Sequence, residues 1–205
     1  MILKGIKAVI FDLGGVVLDL DYDRCIRSFE EIGFEGAQRY VSCYHPMEIF
    51  GALERGEVST EEFCDELRKM SGKTMSNEEI FWAYQAILID IPVKKLRDMI
   101  SLRERGYRVY ALSNMSQVML PRVEELFECD GLKMGDYFDE IFISSQMGLM
   151  KPDRRIYETV IERTGLEPQQ MLFIDDGEKN ITAARELGFM VYLAEAREDF
   201  GHLFE

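Results

Sequence analysis

A zinc site needs several thiolates and imidazoles close together, and this sequence is poor in both. It has two histidines and four cysteines (Cys25, Cys43, Cys64 and Cys129), and no two cysteines form a Cys-x-x-Cys pair. That argues against zinc chemistry. The cysteines make no disulfide framework either; scattered through 205 residues, they read as reduced thiols and point to the cytoplasm. Positive charge is also scarce, with 24 lysines and arginines against 38 acidic residues and a net charge of −14. Nucleic acids and anionic membranes are held by clustered positive charge, so neither is an expected partner. A small anion remains suitable, because one metal ion and one lysine can reverse the field locally. Long hydrophobic runs are missing. Met1–Gly5 leads into a few apolar residues that soon meet Asp12, which fits neither a signal peptide nor a membrane span. Repeats and low-complexity segments are absent, and nothing in the sequence sets an oligomeric state.

What is present is an alternation. The short apolar run Ala8–Phe11 stops at an aspartate and two glycines, as a buried parallel strand does where it enters a functional loop. Similar runs recur at 108–112, 140–143, 170–174 and 190–193. Helical patterns lie between them. From Val93 to Arg105 the stripe is Leu96, Met99 and Ile100, with Arg103 as its next candidate, and Gly106 ends it. From Asp153 to Gly165 the stripe is Ile156, Val160 and Ile161, and Glu178 to Gly188 repeats the logic. The pattern predicts an α/β fold: a Rossmann-like three-layer sandwich with a parallel sheet covered on both faces. Between about Tyr22 and Ile91 no strand is visible. Ser59 with Glu62 and Ser76 with Glu79 read as capping boxes that start helices. The expected organisation is a core domain of residues 1–19 and 92–205, with a small helical cap of residues 20–91 inserted after the first strand.

In an open parallel sheet, ligands bind at the carboxyl ends of the strands. The first predicted strand is followed by Asp12-Leu-Gly-Gly15, the second by Ser113-Asn114, and the fourth by Asp175-Asp176, with Asn180 further on; Lys151 precedes the helix after the third. Two acidic loops, a hydroxyl–amide pair and a lysine at one edge make a site for magnesium and phosphate. Carboxylates hold a hard cation, and the lysine and hydroxyl orient phosphate oxygens.

Four segments, Phe11–Val16, Leu112–Asn114, Gly148–Pro152 and Phe173–Asn180, resemble in order the signature motifs of the haloacid dehalogenase superfamily. The resemblance covers essentially the whole chain. It is strongest to the glucose-1-phosphate phosphatases and to the phosphatase domain fused to soluble epoxide hydrolases. It implies a Mg2+-dependent phosphatase that hydrolyses a small phosphate monoester, sugar phosphates included, through an aspartyl-phosphate. In that reading Asp12 is the nucleophile. The Asp12 carboxylate, the Gly14 carbonyl and Asp176 hold the metal, and Asp175 and Asn180 support it from behind. Ser113 and the Asn114 amide bind the phosphate, and Lys151 both binds it and offsets the charge of the nucleophile.

One position departs from the family pattern. Family phosphatases carry a second aspartate two residues after the nucleophile, as general acid and base, and here Gly14 stands there. Such a group is worth about a hundredfold to ten-thousandfold. Three consequences are open: slow chemistry, a substrate whose leaving group needs little protonation, with a steep dependence of rate on the leaving group, or a stand-in acid from water or the cap, for which Asp19 and His45 are candidates. Two alternatives exist: carbon–halogen hydrolysis by the same aspartate, and a degenerate non-catalytic member that only binds a phosphorylated ligand. In the cap, Tyr44, His45, Phe50, Arg55, Trp82 and Tyr84 could read the substrate. For Trp82 the expectation is the plainer one, a place in the cap's own core.

Overall fold

The computed structural model describes residues 4–39, 41 and 48–204. Tyr44, His45 and Cys43 lie outside them. The sheet has five strands: β1 (Ala8–Phe11), β2 (Arg108–Ser113), β3 (Glu140–Ile143), β4 (Met171–Asp175) and β5 (Met190–Leu193). All are parallel, in the order β3-β2-β1-β4-β5. Its helices are α1 (Tyr22–Glu31), α2 (Glu48–Glu54), α3 (Thr60–Ser71), α4 (Asn77–Gln85), α5 (Val93–Glu104), α6 (Leu120–Leu126), α7 (Met134–Tyr137), α8 (Ser144–Met147), α9 (Arg154–Thr164) and α10 (Glu178–Glu186).

The expected three-layer parallel sandwich is what the chain forms, and the pleat explains why. Successive side chains point to opposite faces of a strand, so Val9 and Phe11 join one apolar cluster while Ala8 and Ile10 join another. The first cluster takes in Leu96, Met99 and Leu102 of α5, and the second Ile156, Tyr157 and Val160 of α9 with Ile181 and Ala184 of α10. Each fully buried side chain of Leu, Ile or Phe size contributes about 1.5–3 kcal/mol. Two stripes differ from expectation in detail. Leu102, not Arg103, completes the buried face of α5, and Tyr157 and Thr164 are buried on α9 where Ile161 is only partly so.

No strand occurs among the described residues of 22–91. Both capping boxes are present: Ser59 Oγ accepts from Glu62 N at 3.2 Å and Glu62 Oε2 accepts from Ser59 N at 2.8 Å, with the same exchange between Ser76 and Glu79. These helices enclose aromatic rings. Phe50 stands 5.1 Å from Phe63 and 5.2 Å from Tyr84, centroid to centroid, and Phe29 closes the group. Phe50 and Tyr84 therefore pack inside this segment. Trp82 does not, which corrects the expectation for it. The buried residues of α4 are Ile80, Ala83 and Tyr84, so position 82 turns outward and the indole is 50% exposed. The segment joins the rest through a short antiparallel crossing, bridged at Leu20 and Leu88, in which Asp19 N donates to Asp90 O, Ile89 N to Asp19 O, and Asp21 N to Ile87 O.

Candidate active site

Register brings the acidic loops together. Phe11 pairs with Ile174 across β1 and β4, so the next residues, Asp12 and Asp175, emerge side by side, and Asp12 N donates to Ile174 O at 2.8 Å. Lys151 reaches between them from the loop before α9. Its Nζ lies 2.9 Å from Asp12 Oδ2 and 2.6 Å from Asp175 Oδ2. The Lys151 loop is fixed by Asn114, whose Nδ2 donates to Lys151 O at 3.0 Å while its Oδ1 accepts from Lys151 N at 2.9 Å.

The two buried aspartates differ in what they have left to offer. Asp175 has three partners, Lys151 on Oδ2 and Gly177 N at 2.7 Å with Asn180 Nδ2 at 2.9 Å on Oδ1. Asp12 has one on each oxygen, Leu13 N at 2.6 Å on Oδ1 and Lys151 at 2.9 Å on Oδ2. Asp176 is exposed beside them, and Asp12, Asp175 and Asp176 offer oxygens that all lie within 4.8 Å of one another. Burial pushes the Asp12 carboxyl well above the ordinary aspartate range; Lys151 pulls it down, and Asp175 and Asp176 push it up. Asp176 is raised for similar reasons. Burial works against the Lys151 charge, but Asp12 and Asp175 outweigh it and hold the ammonium above the ordinary lysine value.

Three carboxylates against one ammonium leave an excess of negative charge, the condition a hard divalent cation relieves. The loop geometry fits the same use. Gly15 has φ +82°, and a Cβ there would stand 2.2 Å from Asp176 Oδ2. Only glycine lets the first loop come that close to the Asp176 carboxylate. Asp175 is counted among the clustered oxygens, yet its three partners suit support rather than ligation, so Asp12 and Asp176, with fewer partners, are the carboxylates better placed to take a metal.

Ser113 ends β2 and is buried, and its hydroxyl bonds to none of the described residues. The side-chain amide of Asn114 is committed to Lys151, which leaves its backbone N–H for a ligand. Asn180 is a partner of Asp175, and Asp19 pairs with the buried Lys95 at 3.5 Å. Arg55 is turned to Glu57 through two 2.8 Å contacts. Lys95 itself, whose Nζ also donates to Val16 O at 2.6 Å, was not foreseen from sequence.

A model of the haloacid dehalogenase-like hydrolases matches residues 6–188. The chain belongs to that family. It is 34% identical over 196 residues, 95% of each chain, to D-ribitol-5-phosphate phosphatase of Bacteroides thetaiotaomicron. It is 27% identical over 195 residues to a phosphatase of Mycobacterium tuberculosis, covering 93% of this chain and 88% of that one. Among solved structures, a haloacid dehalogenase family enzyme from B. thetaiotaomicron, an aspartate-to-alanine variant in complex with magnesium and inorganic phosphate, superposes with a TM-score of 0.95. It is 38% identical, covering 98% of this chain and 99% of that one. An L-2-haloacid dehalogenase from Xanthobacter autotrophicus reaches a TM-score of 0.59 at 20% identity over 91% of this chain and 76% of that one, a likeness of fold alone.

Proposed function

We propose that this chain is a Mg2+-dependent phosphatase that hydrolyses the phosphate monoester of a small polyol or sugar, with Asp12 as nucleophile. The observation that carries the reading is the Lys151 ammonium held between Asp12 and Asp175, with Asp176 beside them. The similarity to a D-ribitol-5-phosphate phosphatase over 95% of both chains supports the substrate class. The excess of carboxylates favours a metal-dependent reaction over carbon–halogen hydrolysis, and the intact Asp12–Lys151 pair favours catalysis over binding alone.

The Asp12 and Asp176 carboxylates and the Gly14 carbonyl would hold the ion, which shields the charge of phosphate and nucleophile from each other. Asp12, its Oδ1 steadied by Leu13 N–H, attacks phosphorus to give an aspartyl-phosphate, which water then hydrolyses. Lys151 neutralises charge on the transferring group, and Ser113 Oγ with the Asn114 N–H orients its oxygens. Asp175, held by its own partners, fixes Lys151. The helical segment of residues 20–91 acts as a cap that keeps water out until the phosphoryl group has moved.

Two expected outcomes test this. Hydrolysis of p-nitrophenyl phosphate and of D-ribitol 5-phosphate should need Mg2+ and stop with EDTA, and Asp176→Asn should nearly abolish it. Normal turnover by Asp176→Asn without Mg2+ would end the reading. Gly15→Ala should raise the Mg2+ concentration needed for half-maximal activity by about 10–100-fold, because the new Cβ displaces the Asp176 carboxylate. An unchanged Mg2+ requirement would remove Asp176 from the metal site.

A further inference from the structure

Gly14 leaves this enzyme without the usual acid two residues after the nucleophile, although the D-ribitol-5-phosphate phosphatase it resembles acts on the phosphate of an ordinary alcohol, a poor leaving group. Among the described residues, three carboxyls are held above their ordinary range: Asp12, Asp176 and Glu54. The first two belong to the metal cluster. Glu54 is the last residue of α2, in the helical segment, and the fold pins it above the strand ends. Its carbonyl accepts from Ser144 Oγ at 2.5 Å, and Ser144 Oγ in turn accepts from Met115 N at 2.9 Å. Ser144 directly follows β3, and Met115 lies two residues beyond Ser113. Contact is close enough that a Cβ on Gly56 would stand 2.4 Å from Ser145 O.

The Glu54 carboxyl is half-buried and has no cation within ion-pair distance among the described residues. Its neighbour Arg55 is engaged by Glu57, and among the described residues the hydrogen-bond donor to the Glu54 carboxyl is the Tyr84 phenol at 3.3 Å. Tyr84 is in turn wedged against Cys25, whose thiol donates to its carbonyl. Lys151 is among the charges that act on Glu54, and the Ser144 contact sets Glu54 at the same edge of the sheet as the ends of β2 and β3. Asp19 is engaged by Lys95 at 3.5 Å, a cation that Glu54 lacks among the described residues.

We propose that Glu54 is the catalytic acid and base, delivered to the site by the helical segment in place of the residue missing at Gly14. In the first step an Asp12 oxygen bonds to phosphorus, the bond from phosphorus to the ester oxygen breaks, and the Glu54 proton passes to that oxygen, so the alcohol leaves neutral. In the second step water attacks the aspartyl-phosphate, gives its proton to the Glu54 carboxylate, and releases Asp12 and inorganic phosphate. Nothing is oxidised or reduced, and the enzyme returns to its starting protonation. Burial raises Glu54 to about 7, with Tyr84, Arg55 and Lys151 each pulling the other way. The acid is therefore present below neutral pH and lost as pH rises through that value.

The proposal rests on the phosphatase reading, and the experiment separates the two. With saturating Mg2+, Glu54→Gln is assayed on D-ribitol 5-phosphate and on p-nitrophenyl phosphate, whose leaving group needs no proton. The expected result, read in a single turnover, is a loss of about 10²–10⁴-fold in the release of the alcohol from the alkyl ester but less than about tenfold in the release of p-nitrophenol, and the alkaline limb of the alkyl-ester profile should vanish. Tyr84→Phe removes the donor that favours the Glu54 carboxylate, so it should move that limb to higher pH. Equal losses of leaving-group release on both esters in that single turnover, or an unmoved limb in both variants, would overturn the role of Glu54 while leaving the phosphatase intact. An unaltered protein that cleaves neither ester would overturn both.

Discussion

Asp12→Asn is expected to leave a folded protein whose turnover of any phosphate ester is at least about 10⁴-fold below that of the unaltered enzyme. An amide has the shape of the carboxylate and can keep the bond from Leu13 N, but it cannot form the aspartyl-phosphate. Folding should not suffer, and the sign can be worked out. Asp12 has its pKa raised in the folded protein, first by burial, so the native state binds this proton more tightly than the unfolded chain. Its ionisation costs stability above the ordinary aspartate range, and that cost is absent below it. Metal-free Asp12→Asn should then melt at or above the temperature of the unaltered protein at pH 8, with the gap narrowing on acidification. Residual turnover comparable to the unaltered enzyme would show that Asp12 is not the nucleophile.

Lys151→Met should be costly in both senses. It deletes a fully enclosed ammonium and strands Asp12 and Asp175, which stand 2.9 and 2.6 Å from it. Breaking a buried pair by removing one partner costs about 3–5 kcal/mol, a melting point lower by roughly 10 °C for a chain of this size. Acid should restore part of that loss, because the stranded carboxylates can then take up protons. Turnover should fall by about 10²–10³-fold, since the transferring phosphoryl group loses its compensating charge. Adding Asp175→Asn to Lys151→Met separates the two effects: stability should recover, because one buried charge is gone, and turnover should not. Parallel recovery of both would reduce Lys151 to a structural ion-pair partner.

The core of the site was legible because each of its parts sits at the end of a strand. Ala8–Phe11 and 170–174 read as buried strands from their unbroken apolar runs, and parallel register then sets Asp12 and Asp175, at their carboxyl ends, next to each other. Asn114 was legible as a member of the site but not as the two-way clasp on Lys151, because that geometry joins loops 37 residues apart. Glu54 was invisible for a stronger reason. Glu54-Arg55-Gly56-Glu57 reads as an ordinary polar surface turn, and only a bond from Ser144, 90 residues away in sequence, to the Glu54 carbonyl fixes that turn at the strand ends. Lys95 and Trp82 failed in the same way from opposite sides. Residue type predicts a charged side chain outside and an indole inside, whereas helix phase and the waiting carbonyl of Val16 decide otherwise.

The tight seat of Gly56 against Ser145 limits how this protein can diversify. With φ +69° and a carbonyl where a side chain would start, position 56 is closed to the other amino acids unless the helical segment lifts away from β3. New specificity cannot be drawn from that position by substitution; it has to come from its neighbours Arg55 and Glu57, which are engaged with each other. Gly56 thus acts as a fixed pivot: the chemistry presented beside it is open to change, and the distance from which it is presented is not.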